Sequence, residues 1–245
     1  MHRIYLSTML FIALSAVSVN AQEQFASDVI KTASGDLKVT FVGHASLIFR
    51  WNNKTFYIDP FSKLTDYAAL PKADVIVITH EHQDHLDPSA ISKIRTDKTK
   101  IVLTAAGAKQ LAGGIVMKNG DLQIVEGVTI EAAPAYNIVH KRETGEPFHS
   151  KGVGNGYVMT FGDKRVYIAG DTENIPEMAD LKNIDIAFLP MNLPYTMTPE
   201  MTAAAAKMIQ PKILYPYHYG ATDTSLLVGL LKDQKGIEVR IRKME

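Results

Sequence analysis

Nine residues, THEHQDHLD from Thr79 to Asp87, hold three of the chain's eight histidines and three acidic side chains. Within them His80, His82, Asp84 and His85 form an H-x-H-x-D-H pattern. Imidazole and carboxylate are the ligands that zinc and neighbouring first-row metals accept at ~2.0–2.2 Å. In an extended segment residues i and i+2 point to the same side, so His80 and His82 can grip one ion together, while Asp84 and His85, past the bend, can face a second. The cluster follows an apolar strand, DVIVIT, and precedes a helix that Asp87 caps and Pro88 opens. Side chains beside the carboxyl ends of strands commonly converge on a ligand at such a place.

The elements that must position this cluster follow from hydrophobic pattern. LKVTFVG, SLIFRW and TFYID, separated by the turn-like HA and NNK, predict a meander of antiparallel strands. ADVIVIT and KIVLT are further strands around the helix DPSAISKI. A second series repeats the theme: VTIEAA, GYVMTFG, KRVYIAG, IDIAFLP and KILYPY read as strands, TPEMTAAAAKMI and TSLLVGLLKD as helices. With strands and helices in each half and no low-complexity linker between them, two sheets packed face to face with helices outside fit better than one doubly wound parallel sheet. The expected class is α/β (α+β), with two face-to-face sheets and helices outside them.

Composition narrows the setting. The chain is 46% hydrophobic and 21% charged, the range of an ordinary globular protein with a sizeable core. Basic and acidic residues balance at 26 each, and no basic run stands out that could release counterions from a nucleic-acid backbone, so nucleic acid is not the expected partner. The first residues combine Arg3, an apolar run from Tyr5 to Val19 and the small-residue pattern VNA before Gln22. Residues 1–21 are therefore expected to be a secretory signal peptide and 22–245 the mature domain, periplasmic or secreted. The apolar run falls short of the ~20 residues that span a bilayer, so no stable membrane anchor is expected after cleavage. There is no cysteine to form a disulfide or carry a lipid.

The H-x-H-x-D-H pattern after a strand closely resembles the metallo-β-lactamase superfamily, and the resemblance covers nearly the whole mature chain. It implies a four-layer αββα sandwich of two mixed β-sheets with outer helices, built as two similar halves, with further ligands at later strand ends. RVYIAGDT then supplies Asp171 as the metal-bridging carboxylate, and KILYPYHYG supplies His218 as the last histidine ligand. VGHASLIF and YIDPF resemble early strands of the hydrolase branch and bring His44 and Asp59 near the site, Asp59 suited to accept the free ring N–H of a ligating histidine. The family usually has a third histidine for the first metal where this chain has Asn137, at the end of VTIEAAPAYN. His140 and His149 follow. The AYN and FHSKG pair resembles a branch of uncharacterised metal-dependent hydrolases, and His149 is favoured because Phe148 and a glycine-rich KGVGNG flank it, allowing close approach to a ligand. Asn137 is expected either to support a ligand or to face water or substrate, His149 to be a ligand or substrate contact, and Asn137→His to tighten metal binding. Lys151 is a candidate to receive an anionic group.

The resemblance implies metal-dependent hydrolysis of an ester, lactone, amide or phosphodiester in a small molecule. Zinc is the expected cofactor, as one or two ions, with manganese or ferrous iron as alternatives. Two cations ~3.5–4 Å apart lower the pKa of a shared water to about 7 and polarise the bond under attack. Asp84 would orient that water and take or pass its proton besides binding metal. The cysteine-ligated type of zinc β-lactamase is excluded because there is no cysteine. A non-catalytic metal-binding protein and an iron-dependent oxygenase on the same fold are the alternative readings.

Overall fold

The structure, a computed structural model, describes residues 25–244. The expected signal peptide lies outside the described residues. Two seven-stranded sheets face one another. In the first, β1 (Ser27–Thr32), β2 (Gly35–Gly43), β3 (Ser46–Trp51) and β4 (Lys54–Ile58) form an antiparallel meander. It continues in parallel through β5 (Val75–Val77), β6 (Lys100–Leu103) and β7 (Ile115–Val116). The second sheet repeats this order. There, β8 (Leu122–Val125), β9 (Val128–Ala135), β10 (Gly154–Phe161) and β11 (Lys164–Ile168) are antiparallel, and β12 (Ile186–Pro190), β13 (Ile213–Tyr217) and β14 (Glu238–Val239) add on in parallel. Helices α1 (Pro88–Ile94), α2 (Ala105–Ala108), α3 (Pro199–Ile209) and α4 (Thr224–Leu231) complete a four-layer αββα sandwich of two similar halves.

The inner faces meet in an aromatic core. Phe161 of the second sheet packs edge-on against Phe49 and Phe56 of the first, with ring centroids 5.7 and 5.4 Å apart, and Phe41 meets Tyr215 at 5.0 Å. These rings are 0–2% exposed; large flat side chains at alternate strand positions fill the gap between two sheets. A second apolar layer, including Ile48, Ile76, Ile91 and Ile94, seals α1 onto the outside of the first sheet.

Local sequence sets the helix starts. Asp87 accepts from the Ser89 N–H and Pro88 opens α1; Thr198 accepts from the Met201 N–H before Pro199 of α3; Asp223 caps α4. The expected strands all form. The short β7, β8 and β14 and the polar edge strand β1 were not predicted from sequence. Strand direction then puts the carboxyl ends of β2, β4, β5, β9, β11 and β13 along one rim of the sandwich, and every candidate site residue follows one of those ends.

Candidate metal centre

After β5 the chain bends at His82, whose carbonyl accepts both His85 N–H (3.0 Å) and Leu86 N–H (2.7 Å). This turn divides the cluster. His80 and His82 remain on one side, with His80 Nε2 and His82 Nδ1 3.1 Å apart, and His149 from the β9–β10 loop joins them as a group of three. Asp84 and His85 fall on the other side beside His44 and His218. Asp171, after β11, stands between the groups. Its Oδ2 is 3.3 Å from His149 Nε2 and 3.5 Å from His218 Nε2, and its Oδ1 is 3.4 Å from His85 Nε2. Asp84 Oδ2 lies 3.7 Å from both His85 Nε2 and His218 Nε2.

These spacings suit cations. Donors bound tetrahedrally at ~2.0–2.1 Å stand roughly 3.3–3.5 Å from one another. His85 Nε2, His218 Nε2 and Asp171 Oδ1 are buried without a hydrogen-bond partner, a costly arrangement that a metal ion would relieve. The donor set and its orphaned atoms therefore fit one or two metal ions.

The supporting hydrogen bonds aim the rings. Asp59, fully buried, accepts the Thr79 N–H at Oδ1 (2.8 Å) and both the Thr79 hydroxyl (2.7 Å) and His85 Nδ1–H (2.8 Å) at Oδ2. Because the Thr79 hydroxyl gives its single hydrogen to Asp59, its oxygen accepts from His80 Nδ1–H at 3.0 Å. One aspartate thus fixes the tautomers of two histidines and turns both Nε2 atoms toward the cluster. His44 Nε2 meets Asp84 Oδ2 at 2.9 Å, and its ring lies 3.8 Å from that of His218. His44, Asp59 and His218 have left-handed backbones, with φ of 50°, 44° and 45°, an uncommon conformation for residues with side chains that here turns each one sharply off its strand end.

His149, not His140, joins the trio, and Asn137 takes the supporting task of the two open to it. Its Oδ1 accepts His149 N–H (2.9 Å) and Nδ1–H (2.7 Å), while its Nδ2 donates to Glu173 Oε1 (3.0 Å) and Tyr195 O (2.9 Å). With its hydrogen-bonding capacity used, Asn137 supports His149 and has nothing left for water or substrate. The expected effect of Asn137→His changes sign, since it would remove this support. Glu173, which sequence reading missed, anchors the loop: besides Asn137 it accepts the N–H groups of Ile138, Val139 and His140 at 2.6–2.7 Å and pairs with His140 Nδ1 at 2.8 Å. An acid two residues after Asp171, opposite Asn137, was its only sequence signal. Lys151 is an exposed loop lysine and not a receiver of an anionic group at the site. Its ammonium pairs with Glu177 at 2.6 Å and lies over Tyr136, leaving the charge satisfied away from the histidines.

Burial and mutual charge set the protonation of the metal-free cluster. Burial would lower His85, but the carboxylates of Asp171 and Asp59 outweigh it and lift the ring to about 9. Burial, then the neighbouring His85, holds His80 well below its ordinary value, and burial with His149 lowers His82. Burial would raise both Asp84 and Asp171, yet the surrounding histidines keep them far below the usual carboxylate range and therefore ionised: His218 and His44 act on Asp84, His218 and His85 on Asp171.

Residues 38–218 match the family model of the β-lactamase superfamily domain. A UPF0173 metal-dependent hydrolase of Geobacillus thermodenitrificans is 31% identical over 211 residues, 80% of this chain and 93% of that protein. Among solved structures, a candidate metal-dependent hydrolase from Parabacteroides distasonis is 51% identical, with a TM-score of 0.86 over 90% of this chain and all of the other. Igni18, a metallo hydrolase of Ignicoccus hospitalis, is 25% identical with a TM-score of 0.70 over 85% of this chain and 95% of the other. The chain belongs to the metallo-β-lactamase superfamily, in its branch of metal-dependent hydrolases.

Proposed function

We propose that this chain is an exported hydrolase that uses two zinc ions to cleave an ester, lactone, amide or phosphodiester in a small molecule. The observation that carries the reading is Asp171: its two oxygens face both histidine groups, and its Oδ1 and the facing Nε2 atoms of His85 and His218 are buried without partners. His80, His82 and His149 would hold one ion, Asp84, His85 and His218 the other, and Asp171 would be shared. When bound, the metals supply an acidified water at neutral pH and polarise the bond under attack.

The chain's own residues do the rest. Asp59 and Asn137 hold His80, His85 and His149 in the tautomers that present Nε2. Asp84 is the more open of the two site carboxylates, 36% exposed against 5% for Asp171. Held ionised by His44 and His218, it can orient water and pass the proton to solvent through the cavity it lines.

The test is metal content by mass spectrometry on purified mature protein, together with turnover of a panel of ester, lactone, phosphodiester and lactam substrates. Near two zinc ions per chain with hydrolysis supports the proposal. Bound metal without turnover of any class favours a binding protein, and iron with oxygen uptake favours an oxygenase. For export, the mature chain is expected to begin at or near Gln22; cytoplasmic protein that retains Met1 would overturn that part.

A further inference from the structure

A cavity of about 470 Å³ opens over the metal centre, within the range of small-molecule sites, and has Asp84, Asp171, His149 and His218 on its floor. Among the described residues lining it, Arg142 is the only lysine or arginine. It also lines the adjoining cavity of about 210 Å³ that reaches His80 and His82. Its backbone is pinned in a turn, Arg142 N–H to Glu146 O at 2.7 Å and Gly145 N–H to Arg142 O at 2.9 Å. The guanidinium lies over the Phe148 ring, 5.1 Å from its centroid, and Phe148 in turn packs edge-on against Tyr195. Among the described residues its one side-chain hydrogen bond is a long one, Nη2 to Phe148 O at 3.4 Å, and no carboxylate pairs with it. Arg142 is thus a cation held at the mouth of the site with most of its five N–H donors unused. Lys151, by contrast, is neutralised by Glu177.

We propose that Arg142 determines specificity in this cavity by binding a carboxylate that the substrate carries away from the bond that is cut. A single planar guanidinium, with no second cation beside it in the lining, matches a monoanionic carboxylate better than a phosphate dianion. The Phe148–Tyr195 wall offers an apolar surface to the part of the substrate between that carboxylate and the metals. The substrate class is then a small ester, lactone or amide bearing a free carboxylate. This rests on the hydrolase reading of the same site, so the test is one of binding.

In zinc-loaded protein, succinate, glutarate and adipate are each titrated calorimetrically against their monoamides, at matched free zinc. One carboxylate of each pair can reach the metals in either compound; only the diacid offers a second to Arg142. At least one diacid is expected to bind about ten- to a hundred-fold tighter than its monoamide, in line with a charge-assisted pair. Arg142→Gln should erase the preference, and Arg142→Lys should keep part of it. Absence of preference at every chain length in the wild type, or its persistence in Arg142→Gln, would overturn the proposal. Preference without turnover of any substrate would instead retain Arg142 as an anion site and remove the hydrolase reading. A preference seen equally with 3-phosphonopropionate over its carboxamide counterpart would overturn the restriction to carboxylates.

Discussion

A histidine ligand is only as good as the group behind its other nitrogen. His149 is backed by Asn137, and Asn137 by the buried carboxylate of Glu173, which burial would raise but which the amide N–H groups of the 138–140 turn and the Asn137 side chain keep ionised. Glu173→Ala is therefore expected to lower metal affinity at the His80–His82–His149 group by about ten- to a hundred-fold, the usual scale for losing an orienting partner. Glu173→Gln should recover part of it; competition with a chromophoric chelator measures both. If Glu173→Ala binds metal as tightly as wild type, the relay has no bearing on the site. His82 is different, partly exposed and bonded within the cluster only to His80. His82→Ala should cost less than about 1 kcal/mol of stability, as surface substitutions do. It should nonetheless remove one ion and hydrolysis together, which metal content and a denaturant melt on the same sample would separate from unfolding.

At the scale of the strand, the approach of the two sheets is set by small residues near the rim. Gly170, just before Asp171, has φ of +65°, and a Cβ there would lie 2.9 Å from Asn155 O and 3.1 Å from Thr79 Cβ. Both the backbone conformation and the contacts oppose any side chain. Gly170→Ala is expected to destabilise the fold by about 1–3 kcal/mol and to shift Asp171 relative to Thr79, the residue that orients His80. Reduced metal stoichiometry in protein that still unfolds cooperatively would be the signature. An unchanged melt would show that the strand end yields without cost. The same rim uses His44, Asp59 and His218 in left-handed conformations, so the turns off the strand ends that bring these side chains together are themselves uncommon for such residues.

For the whole molecule, the cluster makes stability depend on pH in opposite senses on either side of neutrality. His85 in metal-free protein is raised from 6.5 to about 9 by Asp171 and Asp59 against its burial, so its contribution is complete below pH 6.5 and lost as pH climbs through 9. His80, His82 and His44 are lowered, chiefly by burial, so each favours the fold fully above 6.5 and progressively less as pH falls below it. Metal-free stability is expected to peak near pH 6.5, and denaturant midpoints from pH 5 to 9.5 would trace it. Metal-loaded protein should lack the decline above 6.5, because His85 has already given up its proton to bind. A steady rise in metal-free stability across pH 6.5–9 would contradict the assignment of His85.

The sequence by itself determined the candidate ligand cluster and most of the scaffold. His80, His82, Asp84 and His85 lie within one turn of chain, and the long strands carry apolar runs that declare themselves locally, so short-range spacing suffices for both. Asp171 and His218, polar residues ending apolar strands, became legible through the family resemblance. Tertiary structure alone decided what non-local hydrogen bonds and charge pairing control. It brought His149, already favoured from sequence, beside His80 and His82 and tied His140 to Glu173, because Asn137 and Glu173 meet across 36 residues of chain, and it put Arg142 rather than Lys151 at the cavity, because Glu177 reaches the lysine and no described carboxylate reaches the arginine. The edge strands β1, β7, β8 and β14 were invisible for a related reason. They are short or mostly exposed, and pairing with a neighbour that is already in place defines them better than any pattern of their own.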